Sequence, residues 1–185
     1  MKTEYRLAEA LKNMMSEVPL DNISVTALVK KCHVNRQTFY YHFHDIYDLL
    51  TLVFLNESIP RADEAKTIKE LLGYIYEYYS KNRSFVDATL DSAGKDLFEE
   101  FIHNVCYKTV LRLVNAVPDA KKVHINDRKS IVRFYASAYS HSIIYYLANY
   151  KNKSLDGLLN CFSFESSGVF EEAIQKLLLR RNKLK

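Results

Sequence analysis

Asn35, Arg36, Gln37 and Thr38 stand in a row, and five ring side chains, Phe39-Tyr40-Tyr41-His42-Phe43, follow at once. The first four can donate to or accept from base edges and phosphate oxygens, which is the chemistry of reading a duplex. At a helix N-terminus they would also sit beside free backbone N–H groups and the positive end of the dipole, both of which favour phosphate. Phe39 and Phe43, four apart, fall on one helical face and would anchor the segment in a core. Tyr40, Tyr41 and His42 are then left on flanks that reach a sugar-phosphate backbone.

Such a row is presented only if neighbouring elements hold it. Leu7, Leu11, Met14, Met15 and Val18 recur at helical spacing, which predicts an amphipathic helix over about Glu4 to Val18, stopped by Pro19. Ser24 precedes Val25, Leu28 and Val29 as the N-cap of a short second helix, and Cys32-His33-Val34 breaks it. Asn35 then caps the third helix. Asp45 caps a fourth, with Asp48 in its first turn and Leu49, Leu52 and Val53 on its apolar side, ending before Pro60. Two short helices across a three-residue turn, the second polar in front and apolar behind, are the parts of a helix-turn-helix.

The remainder also reads as helix. IKELLGYIYEYYS and KDLFEEFIHNVCYKTVLRLVNAV carry apolar residues at helical spacing, and Pro118 closes the second. A loop to Asn126, a long helix over Asp127 to Tyr150 and a turn over Lys151 to Ser154 follow. Leu155 to Leu184 is expected as one long or broken helix with a weak point at Ser166-Ser167-Gly168. Period-2 strand patterns and internal repeats are missing. The predicted fold is all-α with about nine helices: an N-terminal three-helix domain bearing the helix-turn-helix over residues 1–50, and a larger helical domain over 51–185.

Bulk properties narrow the function by exclusion. The longest apolar run, LLTLVFL from Leu49, is far shorter than the roughly 20 residues of a membrane span. Together with an N-terminus lacking an apolar signal region, this predicts a cytoplasmic protein. Cys32, Cys106 and Cys161 are distant and unpaired, so a disulfide framework and a thiolate metal site are not expected. His42 and His44, two apart on a helix, would point to nearly opposite sides, and no metal or cofactor is predicted. GxSxG, HExxH and a phosphate-binding glycine loop are absent, so the chain does not read as an enzyme.

The formal charge of +4 is no argument for nucleic acid by itself. Over residues 1–50, Lys2, Arg6, Lys12, Lys30, Lys31 and Arg36 are matched by Glu4, Glu9, Glu17, Asp21, Asp45 and Asp48. The surplus lies mainly in Lys176, Arg180, Arg181, Lys183 and Lys185, where cations at a helix C-terminus suit the dipole. The DNA argument is local: Asn22 to His44 holds Lys30, Lys31 and Arg36 and no acid.

The stretch SVTALVKKCHVNRQTFYYHFHDIYDLL resembles the DNA-binding domain of the TetR family of bacterial transcriptional regulators. The diagnostic part is Thr38, Phe39, Tyr40 and Phe43, followed by Asp45, Leu49 and Leu50, all behind one N-terminal helix. The resemblance implies phosphate contacts from Ser24 and Thr26, base or phosphate contacts from Asn35, Arg36, Gln37 and Thr38, and a backbone grip from Tyr40, Tyr41 and His42. It implies a homodimer on a near-palindromic operator, with reading helices about 34–36 Å apart, and output as a repressor. Two positions depart from the pattern: His33 replaces the glycine usual in the turn, and Ile46 replaces the lysine usual at the start of the fourth helix.

The resemblance also implies that the remaining helices dimerise and enclose a small organic effector. Phe134, Ala138, Ser142, Ile143 and Tyr146, joined by Phe170, Ile174 and Leu177, are the expected dimer residues, pairing small side chains with apolar area. A buried helix within one subunit has the same composition. Tyr74, Tyr78, His103, Tyr107, Tyr135 and Tyr139 could line an effector pocket, or fill a Trp-free core with hydroxyls at its edge. SKNRSFVDATLDSAGKDLFEEF is similar to the ligand domain of a Firmicutes group of these regulators that includes regulators of dihydroxyacetone use. Control by a partner protein instead of a small ligand is the alternative.

Overall fold

The computed structural model of the chain describes residues 2–163 and 168–182. Among these residues lie ten α-helices and no strand: α1 Thr3–Met15, α2 Val25–Lys31, α3 Arg36–His42, α4 Ile46–Asn56, α5 Ile68–Lys81, α6 Arg83–Leu90, α7 Lys95–Ala116, α8 Ile125–Asn149, α9 Leu155–Asn160 and α10 Val169–Asn182. The all-α expectation holds. The helix expected over Leu155 to Leu184 is two helices, and Ser166, Ser167, Lys183 and Lys185 lie outside the described residues.

The chain divides into two compact units, Met1–Ser58 with Tyr79–Phe101, and Ile59–Tyr78 with Ile102–Lys185. In the first, α1 packs against α2, α4 and α6, and α2 against α3. Leu7, Leu11, Leu28, Phe39, Leu49 and Leu50 are fully buried there. Phe54 adds a second layer, its ring 5.6 Å from Phe85, 5.7 Å from Phe98 and 5.7 Å from Phe101. Lys12 pairs with Glu57 and lies over the Phe85 ring, 5.2 Å from its centroid. This unit therefore draws on a segment well beyond residue 50.

Three caps set the short helices in register. Ser24 Oγ accepts from the Ala27 N–H at 3.1 Å, Asn35 Oδ1 from Thr38 N–H at 2.7 Å, and Asp45 Oδ1 from Asp48 N–H at 2.8 Å. Asp48 reciprocates by accepting from the His44 N–H at 3.0 Å. α1 stops at Met15, short of Val18, because the Ser16, Glu17 and Val18 N–H groups turn back onto Asn13 and Met14. Val18 is consequently exposed and leaves the apolar stripe.

In the second unit, Leu71, Ile75, Val110, Val114, Val132, Ala136, Ile143 and Ile174 are buried. Thr109 Oγ1 donates to the Ala62 carbonyl at 3.1 Å, and the Arg112 guanidinium donates to the Ala65 carbonyl. The turn between α8 and α9 is held by Tyr146, whose hydroxyl accepts from Ser154 N–H at 2.9 Å and donates to Ser154 O at 3.1 Å. Gly157 is required beside it, since a Cβ there would stand 2.2 Å from the Tyr146 hydroxyl. Cys32 and Cys106 are buried and Cys161 half-buried, all as free thiols.

Candidate nucleic-acid interface

The helix-turn-helix begins with the turn. Cys32 caps α2, and His33 then takes φ 52°, the left-handed conformation for which glycine is the usual choice. The turn closes on hydrogen bonds from His33 N–H to Lys30 O at 3.2 Å and from Val34 N–H to Val29 O at 3.0 Å. A clamp from α1 braces it: Arg6 donates to the Cys32 carbonyl at 2.8 Å, and the Cys32 thiol lies 3.7 Å from the Arg6 carbonyl. Burial pushes the Cys32 thiol up, against the opposing influence of Arg6 and Lys31, so the sulfur stays a neutral donor. The strain of a non-glycine residue at position 33 is thus carried by a turn with independent support. The sequence reading missed Arg6, since nothing local in MKTEYRLAEA points to a carbonyl 26 residues away.

On α3 the side chains sort by direction. Phe39 is fully buried and Phe43 nearly so, with ring centroids 5.6 Å apart. Asn35, Arg36, Gln37, Tyr40 and Tyr41 are exposed, and Thr38 is half-buried. Arg36, Gln37, Tyr40 and Tyr41 follow the i, i+1, i+4, i+5 pattern of a single helical face. Within it, Arg36 donates to the Tyr40 hydroxyl at 3.2 Å, with its guanidinium 5.6 Å from the ring centroid. His42 turns toward α1 instead, its Nδ1 3.3 Å from Glu4 Oε1.

Several of the expected contacts already have structural duties. Asn35 Oδ1 accepts from both the N–H and the hydroxyl of Thr38, at 2.7 and 2.9 Å, and these two bonds leave its amide N–H groups as donors. Ser24 uses an oxygen lone pair on its cap, and its hydroxyl proton remains available to a phosphate. Thr26, Lys30 and Lys31 are exposed along α2. Ile46 is buried, so the place of the usual lysine serves core packing. Next to it Tyr47 donates to Asp21 at 2.8 Å, and that bond raises the phenol's pKa.

Residues 7–53 match the model of bacterial regulatory proteins of the tetR family. Residues 66–161 match a transcriptional regulator C-terminal region of the same family, which is more than half of the chain. The chain belongs to the TetR family. It is accordingly a transcriptional regulator and not an enzyme. No curated protein sequence matches it. The solved structure of the dihydroxyacetone kinase operon activator DhaS is similar to it over 96% of this chain and 95% of that one, at a TM-score of 0.56 and 19% identity. At that identity the likeness bears on the fold. No helix of this TetR-family chain among the described residues is long and apolar enough to cross a membrane.

The six rings nominated for an effector fall into separate groups. Arg61 donates to the Tyr74 hydroxyl at 3.0 Å and covers its ring, while Tyr78 is buried. His103 Nδ1 lies 3.3 Å from the Ser140 hydroxyl, with Tyr107 beside it. Tyr135 and Tyr139 stack with centroids 6.1 Å apart, and Tyr135 meets Phe170 edge-on. A cleft of about 860 Å³ in this unit has Ile68, Leu72, Leu113, Val117 and Phe170 among its walls and Lys66 and Lys69 among its charges. None of the six rings is among the described residues that line it.

The nominated dimer residues also divide. Ile143, Tyr146, Phe170 and Ile174 are buried within the subunit, so they have no free area to offer a partner. Ser142 and Leu177 are half-buried, and Phe134 and Ala138 are exposed. Tyr145, at 57% exposure, and Leu179, at 61%, were not nominated. A helical wheel that ranks residues only by apolarity cannot tell the face against its own subunit from the face turned outward.

Proposed function

We propose that this TetR-family regulator binds a near-palindromic DNA operator as a homodimer, placing α3 of each subunit in successive major grooves. The observation that carries this reading is the single exposed face of Arg36, Gln37, Tyr40 and Tyr41, backed by a buried Phe39. Arg36 and Gln37 read base edges, while Ser24, Thr26, Asn35, Thr38, Tyr40 and Tyr41 hold the backbone around them. Selection of bound duplexes from a random pool at stated salt tests it. A half-site repeated in inverted orientation should be enriched, and a pool with no such repeat rejects the reading.

The exposed apolar side of α8, with Phe134 at 70% exposure, Ala138 and Tyr145, supports a dimer built on that helix. Single apolar residues are common on surfaces, but two rings on one face of one helix call for cover. The cleft near Leu72 and Phe170 is large enough for a small organic effector. To regulate usefully, that ligand must favour one DNA-reading arrangement by about 1–3 kcal/mol. We assign the protein to the cytoplasm, where its operator is, and repression as its output. The DhaS neighbour is named as an activator, so a reporter carrying the selected site upstream of, and then within, a promoter separates the two outputs.

A further inference from the structure

The reading row is not a set of independent side chains. Arg36 and Tyr40 are one helical turn apart, and the guanidinium donates to the tyrosine oxygen at 3.2 Å while lying 5.6 Å from its ring centroid. Tyr40 is itself braced, its ring meeting the buried Phe39 edge-on with centroids 5.4 Å apart. A fully exposed arginine samples many rotamers, and fixing one in a groove costs entropy that a pre-formed contact removes in advance. We infer that Tyr40 is a positioning residue for Arg36: it sets the angle at which the guanidinium meets a base and so shares in sequence specificity. This rests on the proposed reading of DNA through α3.

The chemistry allows both duties on one hydroxyl. A phenol oxygen accepts through a lone pair and donates through its proton. With Arg36 on the lone pair, the proton is free for a phosphate oxygen. A phosphate drawing on that proton faces an oxygen already polarised by the guanidinium, so the two bonds reinforce each other. Tyr40 then links backbone contact to base contact: the arginine is held best when the neighbouring phosphate is in its place. A tyrosine acting on phosphate alone would change affinity equally for all sequences.

The test is base preference in the full-length protein, with binding measured across every single-base variant of the selected operator. Tyr40→Phe keeps the ring and its brace on Phe39 and deletes the oxygen. The discrimination ratio at the base read by Arg36 should fall about fivefold or more, which is the low end of what one well-placed arginine supplies. The ratio at the base read by Gln37 should stay unchanged. In an Arg36→Ala background, Tyr40→Phe should weaken all sites alike with no further change in preference. Uniform weakening by Tyr40→Phe in the otherwise native protein overturns the positioning role while leaving DNA reading intact. A wild-type protein that enriches no inverted repeat overturns both. Circular dichroism and thermal melting establish that each variant is folded, so a flat preference cannot be attributed to unfolding.

Discussion

α3 and α8 both expose part of what they carry, and the faces differ in that α3 sets an arginine and a glutamine beside its exposed rings. α3 is seven residues long, buries Phe39 and turns Arg36, Gln37, Tyr40 and Tyr41 outward. α8 is 25 residues long, buries Val132, Ala136, Tyr139, Ile143 and Leu147, and still has Phe134 and Tyr145 outside. A polar exposed face is at equilibrium with water and gains specificity only from a partner with matching donors and acceptors. An apolar exposed face is unfavourable in water and gains from any complementary apolar cover. The two helices therefore suit different partners, a polyanionic duplex for one and a second apolar helix face for the other.

The comparison breaks first at the buried side of α3. Phe39→Ala should cost about 3–5 kcal/mol, since it empties a site with no solvent access. Chemical denaturation measures it, and a loss below about 1 kcal/mol would mean that the ring does not anchor the helix. On α8 the sign of the test differs. Phe134→Glu should leave the subunit folded yet raise the dimer dissociation constant about thirtyfold or more, as expected for an aromatic at the centre of an interface. Sedimentation at graded concentrations reads the change, and an unaltered dimer removes the exposed face of α8 from the interface.

Smaller effects sharpen the contrast. Asn35→Ala should lower stability by about 1 kcal/mol through loss of the Thr38 cap, and Asn35→Asp should keep that stability while weakening DNA binding through charge repulsion. Denaturation and binding, measured on both variants, separate the cap from the contact. Cys106, wholly buried, has its thiol pushed up to about 12 from 9.0 by desolvation. The folded state holds this proton more tightly than the unfolded chain, so the associated stability is intact below about pH 9 and is lost as pH rises toward 12. Alkylation near pH 8 should accordingly mark Cys161 and spare Cys106 until the protein unfolds. Equal labelling of the two in the native protein would show that the site opens.

Local signals carried the reading of α3 because its structure is decided locally. The Ser24, Asn35 and Asp45 caps act over three residues, and the Phe39–Phe43 pair over four, so their geometry follows from spacing alone. The Arg36–Tyr40 contact was open to the same rule, being four apart on one helix. The end of α1 was not, because the turn through Ser16 to Val18 withdraws an apolar residue that continues the periodic pattern. Ile46 likewise became legible only once its burial was known.

What the sequence by itself determined is the all-α class, the helix-turn-helix and the polar row on α3, since periodicity, caps and side-chain chemistry are properties of neighbouring residues. Only the tertiary structure decided which apolar residues of α8 and α10 are already covered, that 79–101 belongs with the N-terminal helices, and that Arg6 braces the turn at Cys32. It also placed a cleft beside Leu72 and Phe170 whose described lining includes none of the rings that composition favoured. Burial and cavities depend on contacts between residues far apart in the chain, and no local pattern records which of several apolar faces the fold will use.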